Sequence, residues 1–141
     1  MLITDFLLSR KSVRTYKNKA LSNKEIESIE DILEIINKET DNVEFTLHSD
    51  GDRIYKALDG HGGYGGVMID APAYISMNII EESPKAYIDG AYEFEEIVTK
   101  MRELSLGSCW ITLSNCSEEL LQEASVREEL LQGSLRRLHQ R

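Results

Sequence analysis

The sequence predicts an α+β fold, in which helices and strands form separate layers. Two observations lead to this prediction. Segments with the spacing of amphipathic helices alternate with short runs rich in β-branched and aromatic residues. Few of these runs are joined in the strand–helix–strand order that a parallel sheet requires. The 141 residues contain neither a linker nor a repeat, so we expect a single domain over residues 1–141.

Two helices are predicted in the N-terminal third of the chain. The first is a short helix over Phe6–Leu8. The second begins at Ser22-Asn23-Lys24-Glu25, which has the spacing of a capping box. Behind that box, isoleucine and leucine recur at helical spacing, while lysine and glutamate fill the other face. This pattern predicts a helix from Asn23 to Lys38.

Three strands are predicted, and a glycine cluster separates the first two. Residues 43–47 alternate between apolar and polar side chains, as in a strand with one solvated face. Residues 73–79 form the second strand, which is entered through Pro72, and residues 108–113 form the third. The cluster Gly60–Gly66 is too rich in glycine for regular structure, so we expect a mobile loop. The alternative is a loop that borders a ligand.

A long helix is predicted for residues 85–104, directly after Pro84, and a last helix for residues 117–132. Gly107 lies just beyond the long helix and is expected to supply a left-handed residue at its C-terminal cap. The long helix carries apolar residues over a wide arc, and a domain of this size covers only part of that arc by itself. We therefore expect the arc to contribute to a homodimer interface. Its residues are Tyr87, Phe94, Ile97, Val98 and Met101.

Charge and composition argue against several classes of function. The formal net charge of −9 repels the phosphates of nucleic acids and of anionic lipids, so no nucleic-acid partner is expected. No apolar run reaches the roughly 20 residues that span a bilayer, and no secretory signal is recognisable, so a cytoplasmic location is expected. The chain has two cysteines, Cys109 and Cys116, and three scattered histidines. Their number and spacing predict neither a disulfide framework nor a metal site. Cys109 is interpreted as a packing residue.

Basic residues and a hydroxyl group cluster in Arg10-Lys11-Ser12-Val13-Arg14. Arginine binds phosphate oxygens through two parallel N–H groups, and alternate residues of an extended segment project to the same side. Arg10, Ser12 and Arg14 can therefore converge on one phosphate group. A solvated basic turn is the alternative, and spacing alone does not decide between the two.

The glycine cluster contains the spacing G-x-G-x-x-G at Gly60, Gly62 and Gly65. A dinucleotide-binding fingerprint must follow a strand and open a helix, but here a proline and a predicted strand come next. We interpret the match as coincidental. The sequence shows no recognisable arrangement for nucleophilic or acid–base catalysis, so no catalytic residue is predicted. Any enzymatic activity would have to take its chemistry from a cofactor.

Three segments, in this order, resemble the FMN-dependent nitroreductase family. Arg10-Lys11-Ser12-Val13-Arg14-Thr15-Tyr16 is similar to the family's Arg-Arg-Ser-x-Arg-x-Phe motif. Asp70-Ala71-Pro72-Ala73-Tyr74-Ile75 is similar to the Ala-Pro-x-x-Ile opening of its central strand. The third segment runs from Asp89-Gly90 to Gly107-Ser108-Cys109-Trp110-Ile111, and it is similar to a core helix followed by Gly-Leu-Gly-Thr-Cys-Trp-Ile.

The resemblance implies a nitroreductase-like fold with a central, mostly antiparallel sheet packed with helices, a homodimer, and FMN as cofactor. Arg10, Ser12 and Arg14 would hold the phosphate and ribityl end of FMN, with Lys11 nearby. The stretch Trp110-Ile111-Thr112-Leu113 would line the isoalloxazine ring. NAD(P)H would give hydride to FMN, and the reduced flavin would reduce a nitroaromatic, a quinone or a similar small acceptor. The alternative is a non-catalytic or weakly flavin-binding protein of the same fold.

The chain departs from the family pattern in two places. Thr112 and Leu113 stand where the family often has Gly-Gly, so their side chains are expected either to narrow the flavin pocket or to change which backbone hydrogen bonds reach the ring. After about residue 113 the C-terminal part is short or atypical, and the family's final basic residue has no clear counterpart. Arg136 or Arg137 is the candidate replacement for that cation.

Overall fold

The computed structural model describes residue 16 and residues 19–63, 65–113, 116–123 and 137–140. Helices and an antiparallel sheet confirm the α+β prediction. The short helix proposed for residues 6–8 lies outside the described residues. The elements in chain order are α1 (Asn23–Glu39), β1 (Val43–His48), α2 (Gly51–Leu58), β2 (Tyr74–Ile79), α3 (Pro84–Glu103), β3 (Cys109–Thr112), α4 (Glu118–Glu123) and β4 (Arg137–Gln140).

The four strands form one sheet in the order β1-β2-β4-β3, and every neighbouring pair is antiparallel. The last strand in the sequence thus lies inside the sheet, between β2 and β3. In the register, His139 faces Ile75 on one side and Trp110 on the other. Within the part of the chain that the structure describes, β3 joins the sheet through β4. The sequence did not indicate this strand.

Helix α1 begins as its capping box predicts. The Ser22 hydroxyl accepts from the Glu25 amide at 3.1 Å, and the Glu25 carboxylate accepts from the Ser22 amide at 3.0 Å. The helix ends at Glu39, one residue beyond the predicted boundary, and its apolar stripe is buried. Near its end, the Asn37 side chain binds both backbone groups of Phe45 in β1, each at 2.9 Å. This amide therefore occupies part of the outer edge of the sheet.

Helix α3 packs closely against the first two strands. Phe94 meets Phe45 edge-on, with ring centroids 5.1 Å apart. Gly90 allows this approach, because a Cβ atom there would lie 2.5 Å from Met77 Sδ. The helix begins at Pro84, and the Ser83 hydroxyl accepts from the third amide of the helix at 3.1 Å. Side chains expected at a dimer interface are buried in the protomer instead: Phe94, Ile97, Val98 and Met101.

The C-terminal end of α3 differs from the prediction for Gly107. The left-handed residue is Ser105, with φ 62°, and Gly107 has no positive φ. The Leu106 amide donates to Met101 O at 2.9 Å, which closes a Schellman motif. Leu106 is also buried in the core, so its burial sets where the helix must turn. This apolar anchor places the turn two residues before the glycine.

Two apolar clusters cover the two faces of the sheet. The first packs α1 and α3 against the strands, and it includes Ile75 of β2. The second contains the neighbouring residue Tyr74, because successive side chains of a strand point to opposite faces. Helices α2 and α4 contribute to this second cluster. Its buried members are Ile54, Leu58, Met68, Ala71, Tyr74, Ile111, Leu113 and Leu121.

Candidate functional site

The second cluster brings together the segments that the sequence singled out. Tyr16, the last residue of the N-terminal motif, packs against this cluster. Ile111 and Leu113, from the end of β3, lie within it. Tyr16 and the end of β3 are far apart in sequence but share one cluster in the fold. Arg10, Lys11, Ser12 and Arg14 themselves lie outside the described residues.

The side chains of the stretch 110–113 mostly point into the protein. Trp110 is half-buried and packs edge-on against Phe94, with ring centroids 4.4 Å apart. Ile111 and Leu113 are buried, and Thr112 is half-buried. A ligand at this strand end would therefore meet backbone groups and the Thr112 side chain more than the two aliphatic residues.

The glycine cluster has no regular secondary structure, as predicted, but backbone hydrogen bonds hold it in place. Gly60 N donates to Gly66 O at 2.9 Å, and Gly62 N donates to Leu58 O at 2.8 Å. Gly63 N donates to Thr112 O at 3.0 Å, which ties the cluster to the end of β3. The described residues of the loop are thus hydrogen-bonded to their surroundings, and its mobility stays a prediction. Because α2 precedes the cluster and β2 follows it, the geometry of a dinucleotide fingerprint is absent, as interpreted from the sequence.

The Ala71-Pro72 segment is fixed between α2 and β2. The buried Tyr74 hydroxyl donates to Ile69 O at 2.7 Å and accepts from Ala71 N at 3.2 Å, and burial raises the pKa of Tyr74. Gly51 N donates to Pro72 O at 3.1 Å. A Cβ atom at Gly51 would lie 2.1 Å from Ala71 O, so only glycine fits at the start of α2. These contacts give the second cluster a rigid wall.

Arg137, one of the two candidates for the C-terminal cation, begins β4 and faces Thr112 in the register. Its backbone therefore lies beside the strand that carries the proposed ring-lining residues. Arg136 lies outside the described residues. Cys109 is buried, as predicted for a packing residue, and Cys116 is half-buried; neither forms a disulfide.

The sequence did not predict two groups of polar side chains that lie close together in the structure. His48 Nε2 lies 2.9 Å from Ser76 Oγ in a buried pair, and burial lowers the pKa of His48. The carboxylates of Glu39, Glu93 and Glu96 lie within 4.8 Å of one another. Burial, followed by repulsion from Glu96, raises the pKa of Glu93 to about 7. The i,i+3 spacing of Glu93 and Glu96 was a signal for this cluster, because such residues share a helix face.

Helices cover an antiparallel sheet, and Tyr16, the last residue of the arginine-rich sequence motif, packs in one cluster with the strand that follows a long core helix. These features define a nitroreductase-type α+β protein. The sequence matches the family model described as "Putative TM nitroreductase" over residues 3–132. The chain belongs to this nitroreductase family.

Solved structures share the fold over nearly the whole chain. An FMN-dependent nitroreductase from Clostridium difficile R20291 is 22% identical, with a TM-score of 0.69, over 96% of this chain and 83% of that one. A nitroreductase family protein from Clostridium novyi NT is 17% identical, with a TM-score of 0.71, over 99% and 83%. A Desulfovibrio desulfuricans protein, described as a putative nitroreductase in complex with FMN, is 17% identical, with a TM-score of 0.64, over 97% and 84%.

No protein among the curated ones matches this sequence closely enough to count as a relative. Among the described residues, no helix is both long and apolar enough to cross a membrane.

Proposed function

We propose that this chain is an FMN-dependent oxidoreductase that takes hydride from NAD(P)H and reduces a nitroaromatic, quinone or similar acceptor. It acts in the cytoplasm as a homodimer of single-domain subunits. The observation that carries the proposal is the packing of Tyr16 in one cluster with Ile111 and Leu113. The end of the phosphate-binding motif thereby meets the strand proposed to line the flavin ring.

Each part of the site has a distinct task in this proposal. Arg10, Ser12 and Arg14 bind the FMN phosphate and ribityl end, and Lys11 adds positive charge nearby. The backbone of residues 110–113 orients the isoalloxazine ring, because the side chains of Ile111 and Leu113 are buried in the core. FMN supplies the hydride chemistry, and the protein binds and orients it.

Two observations favour a weaker binder of the same fold as the second candidate. Thr112 has a side chain where the family often has glycine, and this side chain is half-buried at the end of β3. The net charge of −9 also opposes a phosphate dianion at long range. Under this reading the protein keeps the fold but loses flavin during purification.

Titration of the purified protein with FMN separates the two candidates. For the enzyme, flavin fluorescence saturates at one FMN per chain, and the loaded protein oxidises NADH or NADPH only when a quinone or nitroaromatic is added. Testing NADH and NADPH separately shows which of them the protein prefers as hydride donor. Saturable FMN binding without turnover supports the second candidate, and no binding at millimolar FMN contradicts both.

A further inference from the structure

The glycine cluster is attached to the strand end that carries the proposed flavin site. We propose that Gly62 and Gly63 are positioning residues, which fix the peptide between Thr112 and Leu113 in the orientation that the flavin ring requires. This inference rests on the proposed FMN function. It concerns residues that lie in the loop between α2 and β2 and outside the motifs that resemble the family.

Gly63 makes the direct connection. Its amide donates to Thr112 O at 3.0 Å. Its φ is +77°, and a Cβ atom there would lie 2.0 Å from Val67 O, so any other residue would force the backbone to move. The hydrogen bond to β3 thus depends on glycine at this position.

Gly62 brings the loop against the side chains around β3. It is buried, and a Cβ atom there would lie 3.2 Å from Leu113 Cδ2 and 3.2 Å from Met68 Sδ. Cys116 Sγ would be 3.6 Å away. An added methyl group would therefore press on the side chains of Leu113 and Met68, which would have to give by a few tenths of an ångström.

The other end of the loop offers a matched control. Gly65 has a φ of +64°, and nothing lies within 4 Å of a Cβ atom there. Gly60 is similarly open. Within the described residues, the loop thus has two glycines in contact with β3 and two whose Cβ position is open, so substitutions can be compared with and without contact to the strand.

Fixing the Thr112 carbonyl also fixes the Leu113 N–H, because both belong to one planar peptide group. A flavin ring bound by backbone groups needs their dipoles aligned before it arrives, since reorienting them on binding costs affinity. Gly62 and Gly63 contribute no reacting atom. They act through the Thr112–Leu113 peptide, which makes them positioning residues rather than catalytic ones.

Three variants test the inference: Gly62→Ala, Gly63→Ala and the control Gly65→Asn, since asparagine tolerates a positive φ. Far-UV circular dichroism checks the fold, and FMN titration gives the affinity. Losing the alignment should weaken FMN binding about tenfold in Gly62→Ala, as for one hydrogen bond. The visible circular dichroism of bound FMN should also change, whereas a purely structural effect would leave this spectrum alone. Gly65→Asn should match the wild type in both measurements.

A cofactor-free measurement keeps the inference separate from the proposed function. Hydrogen exchange at the Gly63 amide of the apoprotein should be roughly tenfold faster in Gly62→Ala than in Gly65→Asn, because its hydrogen bond to Thr112 O is loosened. Equal exchange rates in the two variants overturn the inference, with or without FMN. Wild-type protein that binds no FMN contradicts the proposed function alone. If FMN binds, equal affinity and equal spectra for the two variants also overturn the inference.

Discussion

At the scale of single residues, the proposed phosphate site makes the sharpest prediction. Arg10→Ala and Arg14→Ala should each weaken FMN binding, because each removes a charge-assisted contact to the phosphate. The loss should be about 1.5–3 kcal/mol, or roughly ten- to hundredfold in affinity. The exposed Lys19 offers a control with the same charge change. Fluorescence titration in which both arginine variants match Lys19→Ala would remove this phosphate site.

The buried His48 should make the stability of the protein depend on pH. Its pKa is lowered, first by burial and then by Arg53, while the Asp50 carboxylate works in the opposite direction. The folded protein therefore binds this proton more weakly than the unfolded chain, whose pKa is near 6.5. Stability is complete above that value and falls as the pH falls below it.

Urea unfolding at several pH values checks this prediction. His48→Gln should flatten the decline of the unfolding free energy between pH 7 and pH 5, because the variant has no proton to take up. The exposed His61 supplies the control, and His61→Gln should leave the slope as in the wild type. An equal slope in all three proteins would show that His48 is not the group responsible.

At the scale of elements, the sequence predicted those whose residue pattern is complete within one short segment. The capping box at Ser22 marked α1, and the apolar stripe of α3 marked its extent to within a residue at each end. Helix α2 was missed because eight residues are too few for a convincing helical period. Strand β4 was missed because four residues, Arg137–Gln140, show no alternation and gain their structure only from the two strands beside them.

The candidate site shows the same difference between local residue patterns, which were predicted, and long-range contacts, which were not. The sequence identified both parts, the arginine motif and the stretch 110–113, because their residue types carry chemical meaning. It did not show that Tyr16 and Leu113 share a cluster, since that contact depends on the tertiary fold. Nor could glycine content alone reveal the bond from Gly63 to Thr112. Local chemistry was readable from the sequence, whereas long-range packing was not.

The edge strand β1 depends on one side chain of α1. Asn37 satisfies both the N–H and the C=O of Phe45. Asn37→Leu should destabilise the protein by about 1–3 kcal/mol, because these partly buried backbone groups lose their partner. It should also promote concentration-dependent association, because an unprotected strand edge pairs with other chains. Thermal unfolding and light scattering measure the two effects.

The neighbouring Lys38 on the same helix gives the control for Asn37. It is exposed and pairs only with Glu34 at the surface, so Lys38→Ala should cost little. If Asn37→Leu proves as stable and as monodisperse as Lys38→Ala, the edge does not depend on the asparagine.

Strand β4 should control the position of β3. Removing residues 137–141 deletes the pairing of Trp110 with His139 and of Ile111 with Leu138. Each lost hydrogen bond should cost about 0.5–1.5 kcal/mol. Trp110 is the single tryptophan, so its fluorescence reports on β3 directly and should shift to longer wavelength. The variant Arg141→Ala keeps the strand and should leave the emission unchanged; unchanged emission in the truncated protein would contradict this arrangement.

At the scale of the whole molecule, the proposed homodimer must use a different surface from the one expected. The central apolar residues of α3 are buried in the protomer, but Ile88 and Tyr92 on the same helix are each 69% exposed. Burying two such side chains favours association. The double variant Ile88→Glu with Tyr92→Glu should therefore dissociate the dimer into the 16.1 kDa monomer.

Light scattering at micromolar concentration gives the masses directly. The exposed Ile35 of α1 provides a matched apolar-to-acidic control, and Ile35→Glu should leave the dimer intact. A wild-type mass of one chain would contradict the homodimer. A dimer that survives the double variant would move the interface away from Ile88 and Tyr92.

The central place of β4 also has a consequence for how the protein is made. The sheet needs its last strand in the gap between β2 and β3, so it cannot close while residues 137–140 are still unsynthesised. Until then, β3 has no neighbouring strand among the described residues. The pairing of β4 with β2 joins residues about 60 positions apart, and such long-range contacts form slowly. The nascent chain therefore carries two open strand edges, one on β2 and one on β3, until residues 137–140 have been made, and this is the interval in which a chaperone would be most useful to it.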